Sequence, residues 1–239
     1  MDDARHDNPR PSLVVGMVLF PGLTQLDLTG PYEVFARMPG TRVTLLSATS
    51  SPVRSEWGLT IIPDSTFADA DTLDILCVPG GWGVNEQLEN AALLTFLREH
   101  GARARYVTSV CSGSLLLGAA GLLQGYRATT HWMSLDLLAL LGAEPVEERV
   151  VIDRNRITGG GVTAGIDFGL VVAAELFGPG VSQEIQLAIE YQPGSPSEDA
   201  TTSAASARVC ETVVRRAAPL LEERRRVVQR VASRLRGSC

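Results

Sequence analysis

Four apolar runs of strand length, separated by stretches of helical spacing, constrain this chain more than any other feature. They are Leu13–Phe20 (LVVGMVLF), Arg42–Ala48 (RVTLLSA), Leu73–Val78 (LDILCV) and Tyr106–Val110 (YVTSV). A strand with one wet face alternates apolar and polar residues. These runs do not, so they predict strands covered on both faces, as in a parallel sheet. Between them, Pro31–Met38 opens with proline at a first helical position, and Asn85–His100 places apolar residues at 88, 92, 93, 96 and 97. Ser112–Leu123, Met133–Leu141, Ala164–Phe177 and Gln183–Tyr191 also read as helices. Alternating strands and helices predict a doubly wound α/β architecture.

The chain divides by composition. Residues 1–11 are polar and acidic, and are expected to be disordered or extended; 12–192 form the α/β body. Residues 193–202 read as a linker, with two prolines near its start, and 203–239 as one Arg-rich amphipathic helix. In that helix Val214, Leu221, Val228 and Leu235 recur every seven residues, beside Val213, Leu220 and Val227. This stripe is expected to pack on the body or on a partner chain, because a long exposed stripe is rare on soluble proteins. The run Arg224–Arg226 reads as a solvated helix face. Residues 201–239 carry nine arginines against three acids, on a chain whose net charge is −6. That balance argues against nucleic-acid binding by the whole molecule. The acidic start and the lack of an 18-residue apolar run imply no membrane span and a cytoplasmic protein with reduced thiols.

All 21 basic residues are arginine. Without lysine there is no Schiff-base chemistry, no lysine anchor for pyridoxal phosphate, no Walker-type phosphate loop and no Ser–Lys dyad. Arginine cannot replace the amine, because its pKa is too high for it to act as base or nucleophile. Chemistry is left to Cys, Asp, Glu, Ser and three histidines.

The most informative stretch is Tyr106–Leu123 (YVTSVCSGSLLLGAAGLL). A β-branched strand ends at Cys111 and a small-residue helix begins at once. This is the logic of a nucleophile elbow, with Ser109 where the motif's first glycine normally stands. A thiol at a helix N-terminus is expected to be favoured as thiolate. Cys77, in the middle of its strand, reads as a buried structural cysteine; Cys210 and Cys239 look incidental, and the four spacings fit no zinc site. Asp27, flanked by Leu26 and Leu28 just after the first strand and before a helix, is either a loop residue or a partly buried acid with a raised pKa. If the first strand and the elbow strand are neighbours, it meets Cys111 at the carboxyl edge of the sheet. The loop Val78–Gly83 (VPGGWG) is either a plain tight turn or a source of a backbone N–H, at Gly81, for developing negative charge. His6 and His100 are peripheral, whereas His131, in ATTHW, is either structural or part of the site.

The segments LFPGLTQLDLTGPYEVF, CVPGGWG, SVCSGSLLLGAAGLLQGYRATTHW and RITGGGVTAGIDFGL resemble the PfpI-type branch of the class I glutamine amidotransferase-like superfamily, over about residues 12–192. Within that branch they resemble the isonitrile (isocyanide) hydratases. The resemblance implies a flavodoxin-like three-layer sandwich with a mostly parallel central sheet. It also implies a homodimer, no metal or organic cofactor, and hydration of an isonitrile to an N-substituted formamide through a covalent thioimidate. It places the nucleophile on Cys111, the acid on Asp27 and a hydroxyl on Ser112, where the family usually has threonine. Gly81 and Ser112 would supply backbone donors, with Trp82, His131 and Gly160 lining the site. Peptidases of the branch carry histidine directly after the cysteine, so Ser112 counts against proteolysis.

Two other readings follow from the same residues. One is a ligand-sensing regulator lacking its DNA-binding module, since the residues after 192 are too few for a double helix-turn-helix. The other is a redox, stress-response or reactive-carbonyl protein that uses an oxidisable Cys111.

Overall fold

In a computed structural model, residues 13–194, 197 and 205–237 are described. The segments 1–11 and 195–204, apart from Ser197, therefore fall outside or almost outside the described residues. The elements run β1 (Leu13–Val18), α1 (Gln25–Phe35), β2 (Thr41–Ser47), β3 (Val53–Arg54), β4 (Thr60–Ile61), β5 (Ser65–Thr66), β6 (Ile75–Val78), α2 (Val84–Gln87), α3 (Ala91–Gly101) and β7 (Tyr106–Val110). They continue with α4 (Gly113–Ala119), β8 (Arg127–Ala128), a 3-10 turn (Trp132–Ser134), α5 (Leu137–Leu140), β9 (Glu144–Pro145), β10 (Val150–Asp153), β11 (Arg156–Gly159), α6 (Ala164–Phe177), α7 (Pro179–Ala188) and α8 (Ala207–Gly237).

Seven strands form one sheet in the order β10-β11-β7-β6-β1-β2-β5, parallel except for the β10–β11 pair. All four residues of β6 are buried, which is why its sequence shows no alternation. Helices α1, α6 and α7 pack in series; α3 packs on β6 and α4 on both β6 and β7, with α2, α5 and α8 gathered around α4. The result is the flavodoxin-like sandwich with the added C-terminal helix.

The structure changes several sequence-level boundaries. Helix α1 starts six residues before Pro31, so the proline is inside the helix rather than at its first position. Its ring is accommodated by Gly165 of α6, where an added Cβ would lie 3.1 Å from Pro31 Cδ. The stretch 85–100 is two helices, because the Asn90 side chain accepts the N–H groups of Ala92 and Leu93 and starts α3 afresh. The helices expected over 112–123, 133–141 and 183–191 are the shorter or shifted α4, α5 with its preceding 3-10 turn, and α7. Strands β1 and β7 are not neighbours, since β6 lies between them. The chain runs from β1 outward to β2 and β5, then crosses back to β6, β7 and β11. The β1 and β6 carboxyl ends therefore flank the switch point where folds of this kind bind ligands.

The C-terminal helix docks on the body through one half of its stripe only. Val227, Val228, Val231 and Ala232 are buried, whereas Val213, Val214 and Leu220 remain exposed. Among the described residues, no helix is long and apolar enough to cross a membrane.

Candidate active site

Three loops meet at the switch point, following β1, β6 and β7. Leu23, after β1, forms a bridge with Gly81, after β6, and the Thr24 N–H donates to the Gly80 carbonyl at 2.9 Å. Gly81 has φ +128°, and a Cβ there would lie 2.5 Å from the Gly22 carbonyl oxygen, so only glycine allows this approach.

Cys111 occupies the elbow between β7 and α4 with φ +56°, a left-handed conformation rare for a non-glycine residue. Both of its peptide groups are clamped. Its N–H donates to the carbonyls of Gly159 (3.0 Å) and Gly160 (2.8 Å). Its carbonyl accepts from the hydroxyls of Thr130 (2.9 Å) and Ser114 (3.3 Å). Such strain costs on the order of 1–3 kcal/mol and persists because these bonds over-determine it. Gly113 follows because any side chain there would strike the Val78 carbonyl oxygen, 2.2 Å from an added Cβ.

Cys111 is 5% exposed, on the wall of a cavity of about 90 Å³ shared with Thr24, Glu56, Gly81, Trp82, Ser112, His131, Val162 and Arg224. Burial and then the nearby Asp27 push its pKa well above the usual value, while the Ser112 N–H and the Arg224 cation pull the other way. The thiolate preference expected from the helix N-terminus is thus reversed, because loss of water outweighs the seven-residue helix α4.

Asp27 lies in the first turn of α1 rather than in a loop before it, and is completely buried. Its Oδ2 accepts the Gly80 N–H at 3.0 Å, and its Oδ1 has no hydrogen-bond partner. Burial raises its pKa to about 7, against the Gly80 N–H and the Cys111 thiol, with a further small push from Glu56. Asp27 and Cys111 are therefore brought together across β6, although their strands do not touch. Asp27 is not among the residues that line the cavity.

The other expected residues take varied places. The Ser112 hydroxyl accepts the Gly81 N–H at 3.1 Å, so that N–H is occupied rather than free to act as a donor to a ligand. Trp82 and His131 line the cavity. His131 stays neutral, its pKa lowered to about 4 by burial and then by Arg224. Gly160 is not on the cavity wall; its carbonyl holds the elbow, and Val162 lines the cavity instead.

Arg224 overturns the reading of Arg224–Arg226 as a solvated face. It is 3% exposed and points from α8 into the site. Its Nε donates to Asn85 Oδ1 (2.8 Å), one terminal nitrogen to Ser134 Oγ (3.1 Å) and the other to the Gly81 carbonyl (2.9 Å). The guanidinium also lies 5.1 Å from the centre of the Trp82 ring. A signal for it existed in the sequence. Ala217, Arg224 and Val231 are themselves spaced by seven, so Arg224 has a buried residue one heptad away on both sides, whereas Arg225 has one on one side only, Ala232, and Arg226 has none. Glu56 was also missed. It comes from the β3–β4 hairpin and accepts from the Thr24 hydroxyl (2.9 Å) and the Trp82 N–H (3.3 Å).

A flavodoxin-like sandwich with a strained cysteine at the switch-point edge defines a class of elbow-cysteine α/β proteins. Within that class, the chain belongs to the DJ-1/PfpI family, whose match spans residues 14–175. It is 50% identical to the isonitrile hydratase of Pseudomonas putida over 224 residues, covering 94% of this chain and 98% of that one. It is 30% identical to the HTH-type transcriptional regulator GbdR of Pseudomonas aeruginosa, covering 74% of this chain but 50% of the regulator. Among solved structures it resembles a ThiJ/PfpI family protein from Pseudomonas syringae, with a TM-score of 0.88 and 42% identity, covering 95% of this chain and 97% of that one.

Proposed function

We propose that this protein is an enzyme that hydrates isonitriles to N-substituted formamides, with Cys111 as nucleophile and Asp27 as the proton relay. The observation that carries the reading is the 50% identity, over 94% of the chain, to an isonitrile hydratase. The site chemistry supports it: a thiol, a carboxyl poised near neutrality and a small cavity with Trp82 and Val162 on its wall suit a small apolar substrate.

Above the Asp27 pKa the pair holds one proton, mostly on sulfur. Transfer of that proton to Asp27 Oδ1, the oxygen with no other partner, gives the reactive arrangement of thiolate and neutral acid. The thiolate attacks the terminal carbon of R–N≡C, a C–S bond forms, and Asp27 returns the proton to that carbon, giving the thioimidate R–N=CH–S–Cys111. Asp27, again a carboxylate, takes a proton from water as the oxygen adds to the same carbon, and passes that proton on to the imine nitrogen. Collapse of the tetrahedral R–NH–CH(OH)–S–Cys111 breaks the C–S bond, releases R–NH–CHO and restores the thiol. The Ser112 N–H, directed at the sulfur, steadies the thiolate each time it forms. A homodimer in the cytoplasm belongs to the same proposal.

The test is incubation with a simple alkyl or aryl isonitrile, with the formamide followed by mass. Wild type is expected to turn over, and Cys111→Ala is not. Absence of turnover in the wild type, or full turnover in Cys111→Ala, overturns the reading.

A further inference from the structure

Arg224 is a cation taken almost wholly out of water. Among the described residues no carboxylate lies within ion-pair distance of it, and its three named bonds go to neutral groups: an amide, a hydroxyl and a peptide carbonyl. Burying a charge without a direct ion pair is expensive, and a structural role would be met more cheaply by an apolar residue in the register of Ala217 and Val231. The other arginines of α8 that face the body behave differently: Arg225 pairs with Asp136, and Arg230 and Arg234 with Glu89, all at the surface. Arg224 alone of these enters the cavity that holds Cys111.

The groups facing Cys111 account for its charge. Asp27 of α1 opposes a thiolate, while Glu56 of the β3–β4 hairpin, on the same cavity wall, acts on Arg224 from beyond ion-pair distance. His131, before the 3-10 turn, is neutral, and Cys77 of β6 is a buried thiol whose pKa is raised to about 12. The cation on this wall is Arg224. The geometry points to Arg224 as the standing counter-charge for the Cys111 thiolate, so that docking of the C-terminal helix completes the active site. Arg224 is then a positioning residue: it acts on the reaction through the sulfur, and through the Gly81 carbonyl that it anchors. The inference deepens the reading of Cys111 as a nucleophile, but its test does not need an isonitrile.

The experiment uses the full chain and measures alkylation of Cys111, followed at its own peptide by mass, from pH 6 to 10. The reagents are iodoacetamide and its anionic analogue of nearly equal size, iodoacetate. Arg224→Gln is expected to lower the iodoacetamide rate about tenfold at a given pH, the effect of one pH unit less thiolate. It is also expected to lower the iodoacetate-to-iodoacetamide rate ratio several-fold, a change that a shared steric or structural defect would not produce. Arg224→Lys keeps the charge and retains most of both effects. Arg224→Met, apolar and of similar length, replaces the glutamine variant if that one fails to fold. An unchanged iodoacetamide rate or an unchanged ratio in a folded neutral variant overturns the inference. Absence of isonitrile turnover in the wild type, with both changes present, removes the hydratase reading and leaves this one standing.

Discussion

Cys77 lies in β6 and Cys111 just past the end of the adjacent parallel strand β7, both buried, and only one of them sits in a site. Cys77 is in the middle of β6, fully enclosed, and its pKa is pushed to about 12 by burial. Cys111 is just past the end of β7, in a left-handed conformation, with one side on a cavity. Burial raises both thiols, so burial does not distinguish them. The difference lies in what the strand end makes available: the Ser112 N–H, the Arg224 cation, and an acid, Asp27, with an oxygen free to take the proton. A reactive cysteine here is a buried cysteine supplied with partners.

The comparison breaks most directly by deletion. Cys111→Ala is expected to lower isonitrile turnover by at least about 10³-fold, since among the described residues no second thiol lines the cavity. Cys77→Ala is expected to keep turnover within about twofold and to lose about 1 kcal/mol of stability, as a small core truncation does. Equal losses in the two variants would end the distinction.

Asp27→Asn removes the proton relay and keeps the volume. Turnover is expected to fall on the order of 10²–10⁴-fold. Stability is expected to move in the opposite sense. The folded pKa of about 7 exceeds the ordinary 3.8, so the native state favours the neutral acid, and the wild type loses stability as pH rises through that interval. The asparagine variant escapes this loss. Denaturant unfolding is expected to show it more stable than wild type above pH 7, by up to about 4 kcal/mol, with the gap closing below pH 4.

The same carboxyl sets the expected pH profile. Below pH 7 the Asp27–Cys111 pair holds two protons and the carboxyl cannot accept the thiol proton. Wild-type kcat/KM is therefore expected to fall about tenfold per unit below a midpoint near 7. A flat profile between pH 5 and 7 would detach the acid from the thiol. The smallest effect is expected at Ser112. Ser112→Ala frees the Gly81 N–H at a cost of about 1 kcal/mol, and a few-fold change in turnover would register it. Ser112→Thr keeps the hydroxyl and is expected to restore it.

Much of this site is legible in the sequence because its parts are local. A strand that ends in cysteine and turns directly into a small-residue helix specifies an elbow, and the glycines at 80, 81 and 83 specify close backbone approach. Asp27 was legible as an acid between leucines, but not its depth or its free oxygen, which depend on Gly80 and on α1 starting earlier than Pro31 suggested. Helix boundaries shifted for similar reasons: Asn90 capped a new helix inside a continuous apolar pattern, and Gly165 made room for a proline within α1.

By itself the sequence determined the α/β alternation and the elbow, because periodicity and backbone chemistry act within a few residues; it made the meeting of Asp27 and Cys111 depend on neighbouring strands, which they do not have. Tertiary structure alone decided that β6 stands between the first strand and the elbow strand, that burial overrides the helix terminus at Cys111, and that the Gly81 N–H is already engaged. It also decided the fate of the arginine tail. Arg224, Arg225 and Arg226 are chemically identical neighbours, and 100° of helical rotation per residue buries only the first, 143 positions along the chain from the Gly81 carbonyl it holds. No local pattern fixes a contact of that span; it exists only once the helix has docked.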